Sequence, residues 1–258
     1  MSHPFTKPGL KLGLGLVSIG RVWGVSQSAP PDEDEAQALL AKALELGIAI
    51  FDTAPAYAAS EARLGRFLRG LEPSRRGELT IMTKMGEHWD FERGTSFVDH
   101  SRDALVRSID RSLEILGSID VMQIHKATSD VVAHPAVAAA MDYARSCGVK
   151  WFGASVSDLE SGRHALESGL YDALQFPLNL SSGTMAPLLP ALRASGVTAI
   201  VNRPFAMGGL VVGQPFEEAA TAAFRYIEQE LPDAVILTGT GKAAHLVQNV
   251  RAFHGREG

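Results

Sequence analysis

A closed barrel of eight parallel β-strands, each followed by an α-helix, is the fold predicted by this sequence. Three observations predict it. Short apolar runs and longer helical patterns alternate eight times along the chain, the order that parallel strands joined by right-handed crossovers require. The runs are continuously apolar, as strands buried on both faces are. The 258 residues are what eight such units need in one domain. Composition is even from end to end, so residues 1–258 read as a single (β/α)8 TIM barrel of the α/β class.

The first apolar run is 10–16. Asp32-Glu33-Asp34-Glu35 then puts four carboxylates where a helix N-terminus favours them. Ala36, Leu39, Leu40, Ala43 and Leu46 follow at three- and four-residue spacing, and Gly47 stops that helix. The second strand is 48–51. Ser60 opens a helix over 60–68 as its N-cap. A strand at 79–83 precedes a long helix at 101–116, which carries Leu105, Ile109, Leu113 and Leu116 on one face and stops at Gly117. The fourth strand is 119–124. Strands at 149–154, 172–176, 197–201 and 234–237 complete the set, with helices at 135–147, 158–167, 185–194, 217–230 and 242–253.

The competing architecture is an open doubly wound sheet. It would open its first helix with a G-x-G-x-x-G turn. Here Gly9, Gly13, Gly15 and Gly20 lie in and around the first strand, and the first helix is entered through acidic residues that repel a pyrophosphate.

Composition removes several function classes. There are 24 basic and 29 acidic residues, a net charge of −5, and no basic run longer than Arg75-Arg76, so no nucleic-acid footprint is present. Cys147 is the single cysteine, which rules out an internal disulfide and a cysteine-based metal site within one chain. No stretch has 18 continuous apolar residues, and no small-residue cleavage site follows the glycine-punctuated segment 9–20. The expectation is a cytoplasmic protein with no membrane partner.

Chemistry in a barrel sits at the C-terminal ends of the strands. There the second strand delivers Asp52, with Tyr57 five residues on; the third delivers Lys84 and the fourth His125. Each has a plain structural reading: a turn cap for Asp52, a rim aromatic for Tyr57, the end of a buried segment for Lys84, a satisfied structural histidine for His125. Taken together, an Asp, a Lys and a His directly after three consecutive buried runs outweigh those readings. The set is chemically coherent. A tyrosine, with an ordinary pKa of about 10, is a poor acid near neutrality. A nearby ammonium favours the phenolate and lowers that value, and a carboxylate keeps the ammonium charged in a dry pocket. A histidine opposite can orient a carbonyl oxygen. This suits protonating an oxygen that is gaining negative charge. No nucleophile with an adjacent base is present, which speaks against acyl-enzyme hydrolysis. No metal site is expected, although a mixed His/Asp set stays open. A sugar-phosphate isomerase barrel would need a Glu base at a strand end; Glu87 falls past Lys84, in the loop.

The segment Phe51-Asp52-Thr53-Ala54-Pro55-Ala56-Tyr57, continuing through Ser60-Glu61 to Leu64-Gly65, resembles the signature of the aldo-keto reductase family. Thr83-Lys84 and Asp120-Val121-Met122-Gln123-Ile124-His125 resemble its catalytic lysine and histidine segments, and the resemblance covers nearly the whole chain. It implies a (β/α)8 barrel that uses a nicotinamide cofactor, NADPH by preference with NADH left open, to interconvert small-molecule carbonyls and alcohols. By that resemblance Tyr57 donates the proton, Lys84 activates it, Asp52 holds Lys84, and His125 positions the carbonyl oxygen. The resemblance also implies cofactor contacts from Ser155 and Gln175 at the carboxamide, from Arg203 and Phe205 near the pyrophosphate, and from Gly239, Thr240, Lys242, His245 and Asn249 at the adenosine end, where a helix N-terminus can take an anion. Val156, Leu178 and Gly241 depart from the family's frequent choices. The connections after the fourth and seventh strands are short and the chain stops soon after its last helix, so an open, shallow substrate cleft is expected, with Trp23, Trp89 and Phe205 as walls. The second reading is a cofactor-binding regulatory or scaffold barrel without turnover. The oligomeric state is unknown.

Overall fold

The computed structural model describes residues 5, 7–25 and 27–257. Eight parallel strands close into a barrel. In chain order the strands are β1 (Lys11–Gly15), β2 (Ile50–Asp52), β3 (Thr80–Met85), β4 (Glu87–Asp90), β5 (Thr95–Val98), β6 (Val121–Ile124), β7 (Trp151–Ser155), β8 (Ala173–Pro177), β9 (Thr198–Asn202) and β10 (Val235–Gly239). The closed order is β1-β10-β9-β8-β7-β6-β3-β2, and β4 and β5 form a separate antiparallel hairpin. The helices are α1 (Val17–Gly20), α2 (Glu33–Glu45), α3 (Ser60–Arg69), α4 (Pro73–Arg76), α5 (Arg102–Leu116), α6 (Pro135–Ser146), α7 (Leu159–Ser168), α8 (Leu189–Ser195), α9 (Phe216–Glu230) and α10 (Ala243–His254). One helix of full length follows each barrel strand, except that α8 is short.

The acidic start of α2 has a specific cause. The Asp32 carboxylate accepts from the Glu35 backbone N–H and the Glu35 carboxylate accepts from the Asp32 N–H, a reciprocal cap that satisfies two otherwise orphaned donors. Gly117, Gly169 and Gly196 cap the ends of α5, α7 and α8 with positive φ, as their places in the pattern predict.

Side-chain alternation along the strands positions the site. Ile50, Met82, Val121, Ala173, Ile200, Val235 and Leu237 pack with Phe5 in one cluster inside the barrel. Two residues further along five of these strands stand Asp52, Lys84, Gln123, Gln175 and Asn202. The barrel is therefore plugged by an apolar layer toward its N-terminal end and lined by polar groups at its C-terminal mouth. The larger core lies between the strands and the helices, around Phe51, Ile81, Met122, Phe152 and Phe176.

The sequence-based boundaries need four corrections. Six of the eight barrel strands run one or two residues further toward the mouth than the apolar runs suggest, so Lys84 lies within β3. Ser60 is not the N-cap of α3. Ala59 holds that position, and the fully buried Ser60 hydroxyl donates to Leu16 O and meets the Thr53 hydroxyl at 2.8 Å, tying α3 to the ends of β1 and β2. The helix expected at 185–194 splits into a 3₁₀ turn (Ala186–Leu188) and α8, with Pro187 and Pro190 in their first turns. Glu87 opens the β4–β5 hairpin rather than lying in a loop. No helix among the described residues is long and apolar enough to cross a membrane.

Gly20 ends α1 directly against the turn that carries Tyr57. A Cβ there would stand 1.8 Å from Tyr57 O and 2.7 Å from Ser60 N, so backbone must move to admit any side chain. Gly20→Ala is expected to cost about 1–3 kcal/mol in urea unfolding. Gly183→Ala, where a Cβ meets nothing within 4 Å, is expected to stay within about 0.5 kcal/mol.

Candidate active site

Asp52 ends β2, and Tyr57 closes the 3₁₀ turn Pro55–Tyr57 that follows it. Lys84 is the penultimate residue of β3 and pairs in register with Gln123 of β6; His125 comes directly after β6, its N–H donating to Met85 O at 2.8 Å. All four residues expected at the mouth are brought together. Lys84 is fully buried, and its Nζ lies 2.6 Å from Asp52 Oδ2 and donates to Thr53 O at 2.9 Å. It also stands 4.9 Å from the Tyr57 ring centroid. Tyr57 and His125 meet edge to face, their centroids 5.8 Å apart.

The electrostatics follow from burial and this one ion pair. Lys84 would lose its charge through burial, but Asp52 and Tyr57 more than offset that, and its pKa is raised. Tyr57 is pushed the other way from the expectation. Burial raises its pKa above 10.0, and the Lys84 charge and hydrogen bond only partly oppose it. Desolvation of the phenolate is the largest cause, and the negative charges of Asp52 and Glu87 add to it. The phenol thus keeps its proton near neutrality. His125 is held well below 6.5 by burial first, then by the charges of Lys84, Lys126, Arg21 and His100, so it is neutral.

Two buried side chains join the site that sequence reasoning did not include. Gln123 donates from Nε2 to Asp52 Oδ1 at 2.9 Å, so both Asp52 oxygens are engaged. Gly153 makes room for it, since a Cβ there would stand 2.9 Å from Gln123 Cγ. Glu87 is 5% exposed and lines the cavity; its Oε2 lies 3.1 Å from His125 Nδ1 and its Oε1 accepts from Ser96 at 2.8 Å. The signal for Gln123 was a polar residue inside an apolar run two places before His125. Glu87 carried no comparable signal.

A cavity of about 760 Å³ covers the mouth. Asp52, Tyr57 and His125 line it, as do all nine residues expected to hold a cofactor: Ser155, Gln175, Arg203, Phe205, Gly239, Thr240, Lys242, His245 and Asn249. Trp23 lines it as well. Trp89 does not; its ring lies 5.2 Å from the Arg21 guanidinium, which also stands 5.5 Å from the Trp23 ring. Leu178 is fully buried and does not line the cavity. The five non-glycine residues with positive φ among the described ones are Ala58, Lys126, Arg203, Ala206 and Met207. Ala58, Lys126 and Arg203 directly follow Tyr57, His125 and β9, and Ala206 and Met207 lie in the turn after Arg203, which puts stored backbone strain at the mouth.

The donor set fits a dinucleotide. The cavity volume lies in the range of small-molecule sites. The first turn of α10 has no side-chain cap, so its backbone N–H groups remain available to an anion beside Lys242. Asn202 Oδ1, at the mouth, is buried with no hydrogen-bond partner, as a group awaiting an amide donor would be.

The Aldo/keto reductase family profile matches residues 11–221. L-galactose dehydrogenase of Arabidopsis thaliana is 30% identical over 224 residues, covering 81% of this chain and 66% of that protein. An aldo-keto reductase of Schizosaccharomyces pombe whose name specifies NADP(+) is 24% identical, covering 77% of this chain and 59% of that one. This chain thus spans about three fifths to two thirds of the length of both. A solved structure of a Pseudomonas aeruginosa protein assigned to the aldo-keto reductases superposes with a TM-score of 0.78 at 30% identity, covering 96% of this chain and 90% of that one.

Two consequences are measurable. Lys84→Met leaves the Asp52 carboxylate buried with Gln123 alone, and unfolding in urea is expected to be easier by about 3–5 kcal/mol. His125 has a folded pKa below its unfolded value, so its contribution to stability is complete above pH 6.5 and declines as pH falls below it, by about 1.4 kcal/mol per pH unit until the folded pKa is reached. Urea unfolding of the wild type between pH 7.5 and pH 5 should lose more stability than that of His125→Gln. Equal losses would contradict a neutral His125.

Proposed function

The chain belongs to the aldo/keto reductase family, and from that premise we propose that it transfers hydride between a nicotinamide dinucleotide and the carbonyl carbon of a small aldehyde or ketone, with Tyr57 as the general acid. The observation that carries this reading is the buried Lys84–Asp52 pair beside the Tyr57 phenol. A buried ammonium is costly, and a barrel that merely held a ligand has no use for one at this point. A bound nicotinamide supplies the hydride.

The chain's own residues handle the oxygen. In the reduction, Tyr57 Oη holds a proton at neutral pH and gives it to the carbonyl oxygen as that oxygen gains charge. Lys84 Nζ stabilises the resulting phenolate, and Asp52 with Thr53 O keeps the ammonium in place and charged. Gln123 anchors Asp52, so the carboxylate has one preferred orientation. The neutral His125 ring offers a hydrogen bond across the substrate oxygen without repelling Lys84. In the oxidation the same phenolate accepts the alcohol proton, so that direction gains as pH rises toward the Tyr57 pKa.

NADPH is the preferred partner in this reading. Lys242 and His245 stand at the first turn of α10, where a 2′-phosphate would meet both the helix dipole and a fixed cation. Arg203 also lines the cavity and adds positive charge, its guanidinium 5.6 Å from the Trp23 ring. The single thiol, Cys147, is exposed, which suits a reducing compartment such as the cytoplasm.

Tyr57→Phe removes one oxygen from a partly buried ring. NADPH oxidation with a panel of short aldehydes is expected to fall by about 100- to 10,000-fold in kcat, while NADPH binding followed by fluorescence stays within about threefold. Turnover close to that of the wild type would remove the assignment.

A further inference from the structure

We infer that Arg21 is the receptor for an anionic group on the substrate, so that the cavity takes short carbonyl compounds bearing a carboxylate or a phosphate; this rests on the reductase reading above. Arg21 follows α1, and its backbone N–H donates to Val17 O at 3.0 Å. Its guanidinium is walled by three aromatic rings. The Cζ atom lies 5.5 Å from the Trp23 centroid, 5.2 Å from Trp89 and 5.9 Å from Tyr57. The side chain lines the cavity, and its charge reaches His125.

What distinguishes Arg21 is what it lacks. Its Nε is buried with no hydrogen-bond partner. Among the described residues it makes no ion pair and its side chain donates no hydrogen bond. The ring faces attract its charge, but they leave the in-plane N–H donors of the guanidinium unmet. Leaving the buried Nε–H unpaired is expensive. Of the acidic groups lining this part of the cavity, Asp52 is engaged by Lys84 and Gln123, and Glu87 accepts from Ser96 and forms no ion pair with Arg21. A ligand oxyanion is the partner that fits, because a carboxylate or a phosphate matches the guanidinium fork. The guanidinium Cζ lies 5.9 Å from the Tyr57 ring centroid, so one short molecule can reach both Arg21 and the phenol.

Two matched pairs test this with NADPH as reductant: succinic semialdehyde against its methyl ester, and glyceraldehyde 3-phosphate against glyceraldehyde. In the wild type kcat/KM should favour the charged member of at least one pair by about tenfold or more, and the favoured pair identifies carboxylate or phosphate. Arg21→Met should reduce that preference by about 10- to 100-fold, mainly through KM, and Arg21→Lys should restore part of it. A wild type that prefers the neutral member in both pairs overturns the proposal. So does an Arg21→Met enzyme in which both members lose activity alike, because Arg21 then serves the cofactor or the fold. A second readout does not depend on turnover. With NADP+ bound, succinate or inorganic phosphate should change tryptophan fluorescence saturably in the wild type and not in Arg21→Met, since Trp23 and Trp89 both pack on this residue. No saturable change with either anion overturns the proposal even if aldehydes are reduced. A saturable, Arg21-dependent change with no turnover of any aldehyde supports it while the reductase reading falls.

Discussion

A charged lysine sealed inside a barrel is the constraint on which the rest of this site depends. Lys84 has no exposed surface, and its ammonium survives there because Asp52 and the Thr53 carbonyl receive it. That requirement propagates outward. Asp52 must be held in turn, so β6 contributes Gln123, and β7 must contribute a glycine at 153 to leave Gln123 its space. The Tyr57 turn must sit close to the ammonium, so α1 ends in Gly20, where no side chain fits. Residues that share no chemistry are thus coupled through one ion pair, and the cost of burying charge sets their identities.

The two-residue period of a strand makes such a site possible without sacrificing the core. Ile50, Met82 and Val121 seal the barrel, and the next inward positions on the same strands are Asp52, Lys84 and Gln123. Apolar burial at one end stabilises the strands that carry unfavourable charge at the other. Barrel enzymes divide stability and chemistry between their two ends in this way.

The sequence made much of this legible. The alternation of apolar runs and helical patterns gave the barrel, and glycines at 117, 169 and 196 gave helix ends, because a left-handed cap has a local sequence cause. Asp52, Lys84 and His125 were visible because a charged or polar residue directly after a buried run is conspicuous. What was misread had non-local causes. Ser60 looks like an N-cap, yet its hydroxyl is used by Leu16 and Thr53 across the fold. The direction of the Tyr57 shift depends on how much burial outweighs an ammonium already committed to Asp52, which no spacing reveals. The β4–β5 hairpin, with Glu87 and Trp89, has no apolar run to announce it. Arg21 is a lone cation after a glycine-rich strand; only its three ring contacts and its missing partners mark it out.

The central claim is that the Tyr57 phenol gives up its proton in the reaction, from a site where burial retains that proton and Lys84 eases its departure. Replacing Tyr57 with a fluorinated tyrosine of more acidic phenol changes this property while keeping the ring and the oxygen. If the claim holds, the alkaline limb of the pH profile for carbonyl reduction moves to lower pH in step with the phenol's acidity. An alkaline limb that stays where it is in the wild type, with activity otherwise retained, would contradict it.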